Sequence, residues 1–194
     1  MKLLDRIKEW MGRRALLKEN AVERRPLARN LADCGKIGIV YLAEDEKAFT
    51  QVRNYVKKIK EELGHHRIMV IGYHESKERP DYLHPKLHFD AITQKELNWY
   101  RIPQGTMVQN FLVEEHDVLI DLSLEDRLPI QYLVAKSRAR FKVGRLSESN
   151  AHFLDMMIDT AGANSLLQFI ANMDKYLMMI NAKAQAPSLT SHGQ

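Results

Sequence analysis

A chain of 194 residues with 45% apolar and 28% charged side chains has the composition of an ordinary globular domain, long enough to bury one sizeable core. Its apolar runs fall far short of the roughly 20 residues that a transmembrane helix needs. The charges scattered through residues 1–6 argue against a secretory signal. The single cysteine, Cys34, cannot form an internal disulfide, so we expect a reducing, cytoplasmic setting and a buried, inert thiol.

The net charge of +4 is concentrated at the N-terminus. Residues 1–29 hold nine Lys/Arg against four Asp/Glu, a balance of +5, whereas the rest of the chain holds 20 against 21, a balance of −1. A nucleic-acid-binding domain normally carries its own basic face. The neutral globular part therefore argues against nucleic acid as a partner.

Residues 1–30 are predicted to form a basic, amphipathic helical arm, which Pro26 ends or kinks. The apolar residues that recur at helical spacing are Leu3, Ile7, Trp10, Met11 and Leu17. Arg13 and Arg14 lie among them. Such a stripe can pack on the domain or on a second copy of it, lie on an anionic membrane surface, or meet a protein partner. We expect the arm, rather than the domain, to carry the protein's associations.

The domain proper, residues 31–182, begins with a strand, a helix and a strand. Ile37–Leu42 and Ile68–Tyr73 are apolar runs typical of buried strands. Asp45 is placed to cap the helix between them, and Gly64 to end it. Because a long helix separates the two strands, they are predicted to be parallel neighbours in a right-handed βαβ unit.

The middle of the chain is broken by prolines and has weaker patterns. A short strand is predicted over residues 88–92. Thr93 and Glu96 form a capping box for a short helix that reaches Trp99, and residues 106–113 are predicted to form a further helix.

The C-terminal half returns to clear patterns. Val118–Leu122 is predicted as a third parallel strand and residues 128–136 as a helix. Strands over residues 139–143 and 154–158 are too close in the chain for a crossover helix, so they are predicted to pair as an antiparallel hairpin at one edge. A closing helix carries a core-facing seam of Leu166, Ile170, Met173, Leu177 and Ile180. The tail, residues 183–194, is small and polar and predicted to be disordered.

Together these elements predict an α/β fold. We expect a three-layer sandwich with a mainly parallel sheet, similar to flavodoxin-like or Rossmann-like sheets, and an antiparallel edge hairpin.

The segment from Asp117 to Lys183 contains three distinctive runs: Asp117–Ile120, the run from Ala135 to Gly144 with its Ser-x-Ala-x-Phe-Lys-Val-Gly pattern, and Asp174–Leu177. These runs resemble those of a family of small Bacteroidetes proteins. The short basic N-terminal helix and the opening βαβ unit are also similar, so the resemblance covers most of the chain. The family is a domain of unknown function, and the resemblance therefore implies a cytoplasmic bacterial protein but no catalytic residue, ligand or partner.

Polar residues follow the predicted strands, where open α/β sheets bind their ligands. The candidate ligand-binding residues are Asp45, His74, Asp121, Ser123 and Arg145. Such groups can do acid–base work and hold an anion. Asp121 is the best single candidate, since an acid next to a buried apolar strand can have a shifted pKa. Polar loops and helix caps follow strands in every fold of this kind, which is the alternative interpretation.

Other chemical patterns are weak. His84 and His88 have the spacing of two metal ligands on a helix, but Pro85 disfavours that helix, so no metal site is predicted. The first strand runs into acids rather than a glycine-rich turn, and no cofactor is predicted. Arg138, Arg140 and Lys142 would share one face of a strand, either covering a sheet edge or forming a surface for an anionic partner.

Two classes of function follow. The leading hypothesis is a non-enzymatic binding or scaffold protein that docks to a partner or membrane surface through its arm. The alternative is a small-molecule enzyme or ligand sensor that uses the polar residues at the strand ends.

Overall fold

The computed structural model describes residues 3–18, 22, 24–64, 67–83, 89–160 and 165–180. Within these ranges the α-helices are α1 (Leu3–Lys18), α2 (Glu46–Leu63), α3 (Thr106–Val113), α4 (Leu128–Lys136) and α5 (Leu166–Met179). The strands are β1 (Lys36–Leu42), β2 (Arg67–Tyr73), β3 (Phe89–Ile92), β4 (Val118–Asp121), β5 (Phe141–Arg145) and β6 (Met156–Ile158). His65, His66, His84, His88 and the tail at 183–194 lie outside the described residues.

The strands form one parallel sheet in the order β3-β2-β1-β4-β5-β6. β1 lies in the middle, with Ile37 opposite Ile68 of β2 on one side and Val118 of β4 on the other. The prediction that these three strands are parallel neighbours is therefore confirmed. The order is that of Rossmann-type doubly wound sheets, in which the direction of winding reverses between β1 and β4.

Helices cover both faces of the sheet. On one face α2 and α5 bury Val52 and Phe169 against Ile39 and its neighbours in β2, β4 and β5. On the other face α3 and α4 bury Phe111 and Leu133 among residues of β1, β2 and β4. The result is three layers, as the α/β prediction requires.

The predicted start and end of α2 at Asp45 and Gly64 are confirmed. The Asp45 carboxylate accepts a hydrogen bond of 2.7 Å from the Ala48 amide at the start of α2, and Gly64 ends the helix with a left-handed φ of 68°. The capping box of Thr93 and Glu96 also forms, but it begins only a 3-10 turn, Gln94–Glu96. The predicted continuation to Trp99 is wrong.

The chain turns instead because the Asn98 side-chain oxygen accepts hydrogen bonds from the Tyr100 and Ile102 amides. At the N-terminus, α1 ends at Lys18, so Pro26 lies beyond the helix it was predicted to end or kink.

The predicted antiparallel edge hairpin is wrong, because β5 and β6 pair in parallel with Val143 opposite Met156. Their connection, residues 146–155, contains turns instead of a crossover helix. In these turns the Asn150 amide donates to the Ser147 carbonyl and the Phe153 amide to the Asn150 carbonyl. A short return suffices because β6 has three residues and pairs only with the end of β5.

Gly144 allows this return path to lie close to the sheet. A Cβ at Gly144 would stand 2.9 Å from Leu154 Cδ1 and 3.1 Å from Asp121 Cβ, both too close for an ordinary contact. The Asp155 amide then donates to the Lys142 carbonyl and joins the connection to β5.

Candidate functional site

Helix α1 packs on the layer formed by α4. Leu16 is 5% exposed and forms a small apolar cluster with Ile102 and Leu128. Gly12 is also buried here, and a Cβ at this position would overlap the Tyr100 carbonyl oxygen and lie 2.5 Å from Leu128 Cδ2. Glycine is therefore what lets the helix approach the domain this closely.

A polar chain adds to this attachment. The Arg13 guanidinium donates one hydrogen bond of 3.0 Å to Gln131 Oε1 and further bonds to Glu9, one turn earlier in α1. Gln131 is only 3% exposed, and its amide nitrogen donates to Ser149 Oγ and Asn150 Oδ1. Arg13 thus connects α1 to the buried amide of α4 and to the loop after β5.

The predicted apolar stripe of α1 does not pack on the domain. Ile7 is 45% exposed, Trp10 58% and Leu17 61%, and Leu4 extends the same surface. The interpretation that the stripe packs on its own domain is therefore wrong for Ile7, Trp10 and Leu17, and Gly12 and Leu16 on the other side of the helix pack there instead. Met11 is half-buried, and the side chain of Leu3 lies outside the described part of the structure. We call Leu4, Ile7, Trp10 and Leu17 the α1 stripe.

The surroundings of the α1 stripe are basic. Helix α1 contains five Lys/Arg and two Asp/Glu, and one of the acids, Glu9, is bound by Arg13. Arg6 and Arg14 are exposed, and the Arg14 guanidinium lies 5.3 Å from the centre of the Trp10 ring. Among the described helices, none is both long and apolar enough to cross a membrane.

The strand-end candidates fall into two groups. Asp45 and His74 lie at the ends of β1 and β2, where both serve the backbone. Asp45 caps α2, as described above. His74 Nδ1 lies 2.6 Å from the Ala43 carbonyl oxygen, and it donates the hydrogen bond because a carbonyl can only accept.

Asp121, Ser123 and Arg145 form the second group, at the ends of β4 and β5. Asp121 is 3% exposed and accepts a hydrogen bond of 2.9 Å from the Ser123 amide, and burial raises the pKa of its carboxyl to about 6. Arg145 forms an ion pair with Asp126. The Ser123 side chain also interacts with the Asp121 carboxyl, whereas the buried atom Arg145 Nε has no hydrogen-bond partner among the described residues.

A cavity of about 630 Å³ lies between α1 and the loop after β5. Its lining includes Arg13, Leu17, Asp126, Gln131, Ser149 and His152, but none of the five strand-end candidates. Asp126 and Gln131 were missed in the sequence. Of these two residues, only Gln131 could have been noticed in the sequence, because it is a polar residue inside an otherwise apolar helical run.

Arg138, Arg140 and Lys142 were predicted to share one face of a strand, but they do not. Strand β5 begins only at Phe141, so the alternation of a strand does not extend back to the two arginines. Lys142 points inward, 2% exposed, and its Nζ donates to the Ala135 carbonyl at the end of α4. Arg138 and Arg140 remain exposed.

These features define the class of protein. It is a three-layer α/β protein with Rossmann-type strand order and a basic N-terminal helix that is anchored by one side and exposes an apolar stripe on the other. The chain belongs to the Family of unknown function (DUF6913), whose family model matches residues 8–180, from within α1 to the residue after α5. No curated protein and no solved structure matches the chain.

Proposed function

We propose that this protein is a non-enzymatic peripheral membrane protein that docks on an anionic lipid surface through α1. The observation that carries the proposal is the exposure of Ile7 and Trp10 on a helix whose opposite side is fixed to the domain, with Leu17 exposed at the edge of the cavity beside α1. Because Gly12 and Leu16 already use the domain-facing side, the stripe remains available for a second surface.

Transfer of the α1 stripe from water into a lipid surface has a favourable free energy. Complete burial of a large apolar side chain is worth about 1.5–3 kcal/mol, and Trp10, Ile7 and Leu17 together offer several such gains. Tryptophan also concentrates at the boundary between lipid and water. A helix of this kind lies in the plane of the interface rather than across it.

The charge of α1 favours an anionic surface over a second copy of the chain. In a two-fold dimer the same patch meets itself, so the basic side chains around the stripe, Arg6 and Arg14 among them, would be brought towards those of the second copy. Lipid headgroups of negative charge attract these side chains instead, by about 1 kcal/mol for each basic residue near the surface.

The engagement of the strand-end residues supports a binding role rather than catalysis. Asp45 caps a helix, His74 binds a backbone carbonyl, and Arg145 pairs with an aspartate. We propose the cytoplasm of a bacterium as the setting, since the single cysteine is a buried thiol. Burial raises the pKa of Cys34 to about 12, as suits an unreactive thiol in a reducing compartment.

Vesicle pelleting tests the docking proposal. The double variant Ile7→Ser/Trp10→Ser should lose binding to vesicles of phosphatidylserine and phosphatidylcholine, while keeping the melting temperature of the native chain. Val113→Ser, which alters a side chain 57% exposed on α3, is the matched control and should bind normally. Binding should weaken in about 0.5 M NaCl, where the Debye length is only a few ångströms.

Three results would contradict the proposal: no binding of the native protein, equal binding by both variants, or a dimer in sedimentation that only the α1 variant dissolves. The last would identify a second copy of the chain as the occupant of the stripe.

A second candidate function rests on the buried atom Arg145 Nε, which has no hydrogen-bond partner among the described residues and lies near the buried carboxyl of Asp121. Buried polar atoms are normally satisfied by protein, water or a bound molecule. We propose that a small polar ligand can bind beside Asp121. A metabolite that raises the melting temperature of the native chain but not of Ser123→Ala would support this proposal. A screen that finds no such compound would count against it.

A further inference from the structure

A second cavity, of about 940 Å³, lies at the opposite end of the sheet, before the start of β5. Four arginines line it: Arg24, Arg25, Arg138 and Arg140. Glu115 is the one acidic residue among the described lining. The described lining residues therefore carry an excess of positive charge, although the globular part of the chain as a whole is nearly neutral.

The protein neutralises the charges of these arginines unevenly, since Arg24 is paired with Asp155 and the other three have no close carboxylate among the described residues. Arg140 reaches Glu115 only at 3.9 Å, and both side chains are about half exposed or more. Neither Arg25 nor Arg138 has an ion-pair partner among the described residues, and both are exposed. Several guanidinium groups gathered around one cavity repel each other unless an anion lies between them.

Hydrogen bonds to the backbone and to Asp155 hold the lining of the cavity in place. The Leu27 amide donates to the Arg140 carbonyl, 2.9 Å away, which joins the segment after α1 to the start of β5. Arg24 donates two hydrogen bonds of 2.7 Å to the two carboxylate oxygens of Asp155. Asp155 also accepts a bond from the Lys142 amide, so this side of the cavity is tied to the sheet.

The buried ammonium of Lys142 lies close enough to Arg24 for that charge to affect its pKa. Its pKa is lowered to about 7, first because burial removes the charge from water and second because Arg24 lies close by. The Asp155 carboxylate raises the pKa of Lys142, but by less than burial and Arg24 together lower it. The charge of Arg24 at the edge of this cavity thus adds to the effect of burial on Lys142.

We infer that the cavity of Arg24, Arg25, Arg138 and Arg140 binds a ligand that carries two or more phosphate groups. Arginine donates paired hydrogen bonds to phosphate oxygens, and the three side chains of Arg25, Arg138 and Arg140 suit a ligand with more than one phosphate group. The cavity volume is that of a small-molecule site. This site is separate from the α1 stripe and does not depend on the proposed docking function.

Calorimetric titration with inorganic pyrophosphate tests the inference on the full chain. In about 50 mM NaCl, where screening is weak, the native protein should bind pyrophosphate, and Arg25→Gln/Arg138→Gln should bind it at least about tenfold more weakly. Both arginines are exposed, so the double variant should keep its fold. Arg53→Gln, an exposed arginine of α2 that contacts Phe49, is the matched control and should bind as the native protein does.

A second arm distinguishes a soluble ligand from a lipid headgroup. Vesicles with a phosphatidylinositol bisphosphate are compared with phosphatidylserine vesicles of equal charge. Loss of the bisphosphate preference in Arg25→Gln/Arg138→Gln would assign the site to a headgroup, whereas unchanged vesicle binding with weaker pyrophosphate binding would assign it to a soluble ligand. Failure of the native protein to bind pyrophosphate, or equal affinities in the double variant and Arg53→Gln, would overturn the inference.

Discussion

The hydrogen bond of 3.0 Å from Arg13 to Gln131 joins an exposed N-terminal helix to a buried side chain of the domain. Together with the packing of Gly12 and Leu16, this bond attaches α1 to the face of the domain that α4 forms. The apolar stripe is thus presented in one fixed orientation, so that docking needs little further ordering of the chain.

Leu16 and Leu17 form a matched pair for testing how α1 is attached. Leu16→Ala should lower the free energy of unfolding by about 2–4 kcal/mol, because Leu16 is 5% exposed and its removal leaves a cavity against Leu128. Leu17→Ala, at a side chain 61% exposed, should change it by less than about 0.5 kcal/mol. Urea denaturation measures both, and equal losses would mean that α1 packs through a different side.

Gly144→Ala should destabilise the protein by about 1–3 kcal/mol, since the new methyl group would collide with Leu154. Shortening the opposing side chain should relieve the collision, so Gly144→Ala/Leu154→Ala should lose less than the sum of the two single variants. Thermal and urea unfolding of the four proteins provide the comparison. Strict additivity would show that the connection between β5 and β6 does not lie against Gly144.

His116 should make the fold sensitive to mild acid. It is 1% exposed beside Phe111, and burial, the largest cause, lowers its pKa from 6.5 to about 4. Between these values the unfolded chain takes up a proton that the folded chain does not, so stability falls as pH drops from about 6.5 to 4. Asp121, whose pKa is raised to about 6, changes stability in the opposite direction over much of this range.

The difference between the native chain and His116→Phe isolates the histidine from this opposing effect. The gap in unfolding free energy should move in favour of the variant as pH falls from 7 to 4. A gap that stays constant over that range would mean that His116 titrates normally in the folded protein.

Lys142→Met should flatten the alkaline side of the stability profile. The pKa of Lys142 is lowered from 10.5 to about 7, mainly by burial. Between these values only the unfolded chain is protonated at this site, so native stability should rise from pH 7 towards pH 10. Unfolding midpoints measured across that range should rise less steeply in Lys142→Met than in the native chain. Parallel curves would contradict the shifted pKa.

The βαβ unit could be predicted because its signals are local. Asp45 and Gly64 mark the two ends of α2, and apolar runs on either side mark β1 and β2. The pairing of β5 with β6 was predicted, but its parallel direction could not be, because the path of the connection beside Gly144 and Leu154 leaves no periodic signal in the sequence. The general rule on connection length favoured the wrong arrangement.

The candidate site was predictable to a similar degree. The α1 stripe was visible in the spacing of Ile7, Trp10 and Leu17, but its exposure was not. In the sequence Gly12 is only a weak helix former, and its importance appears once Tyr100 and Leu128 lie against it. The arginine cavity brings Arg24 and Arg25 next to Arg138 and Arg140 across more than half of the chain, a contact that no local pattern indicates.

The most direct test of the docking proposal follows Trp10 itself. The chain has two tryptophans, so Trp99→Phe leaves Trp10 as the one indole reporter. With anionic vesicles at low salt, the emission of Trp10 should shift to the blue and be quenched by brominated lipids, and about 0.5 M NaCl should reverse both changes. An emission spectrum that stays the same in the presence of anionic vesicles would contradict the proposal that α1 docks on a membrane surface.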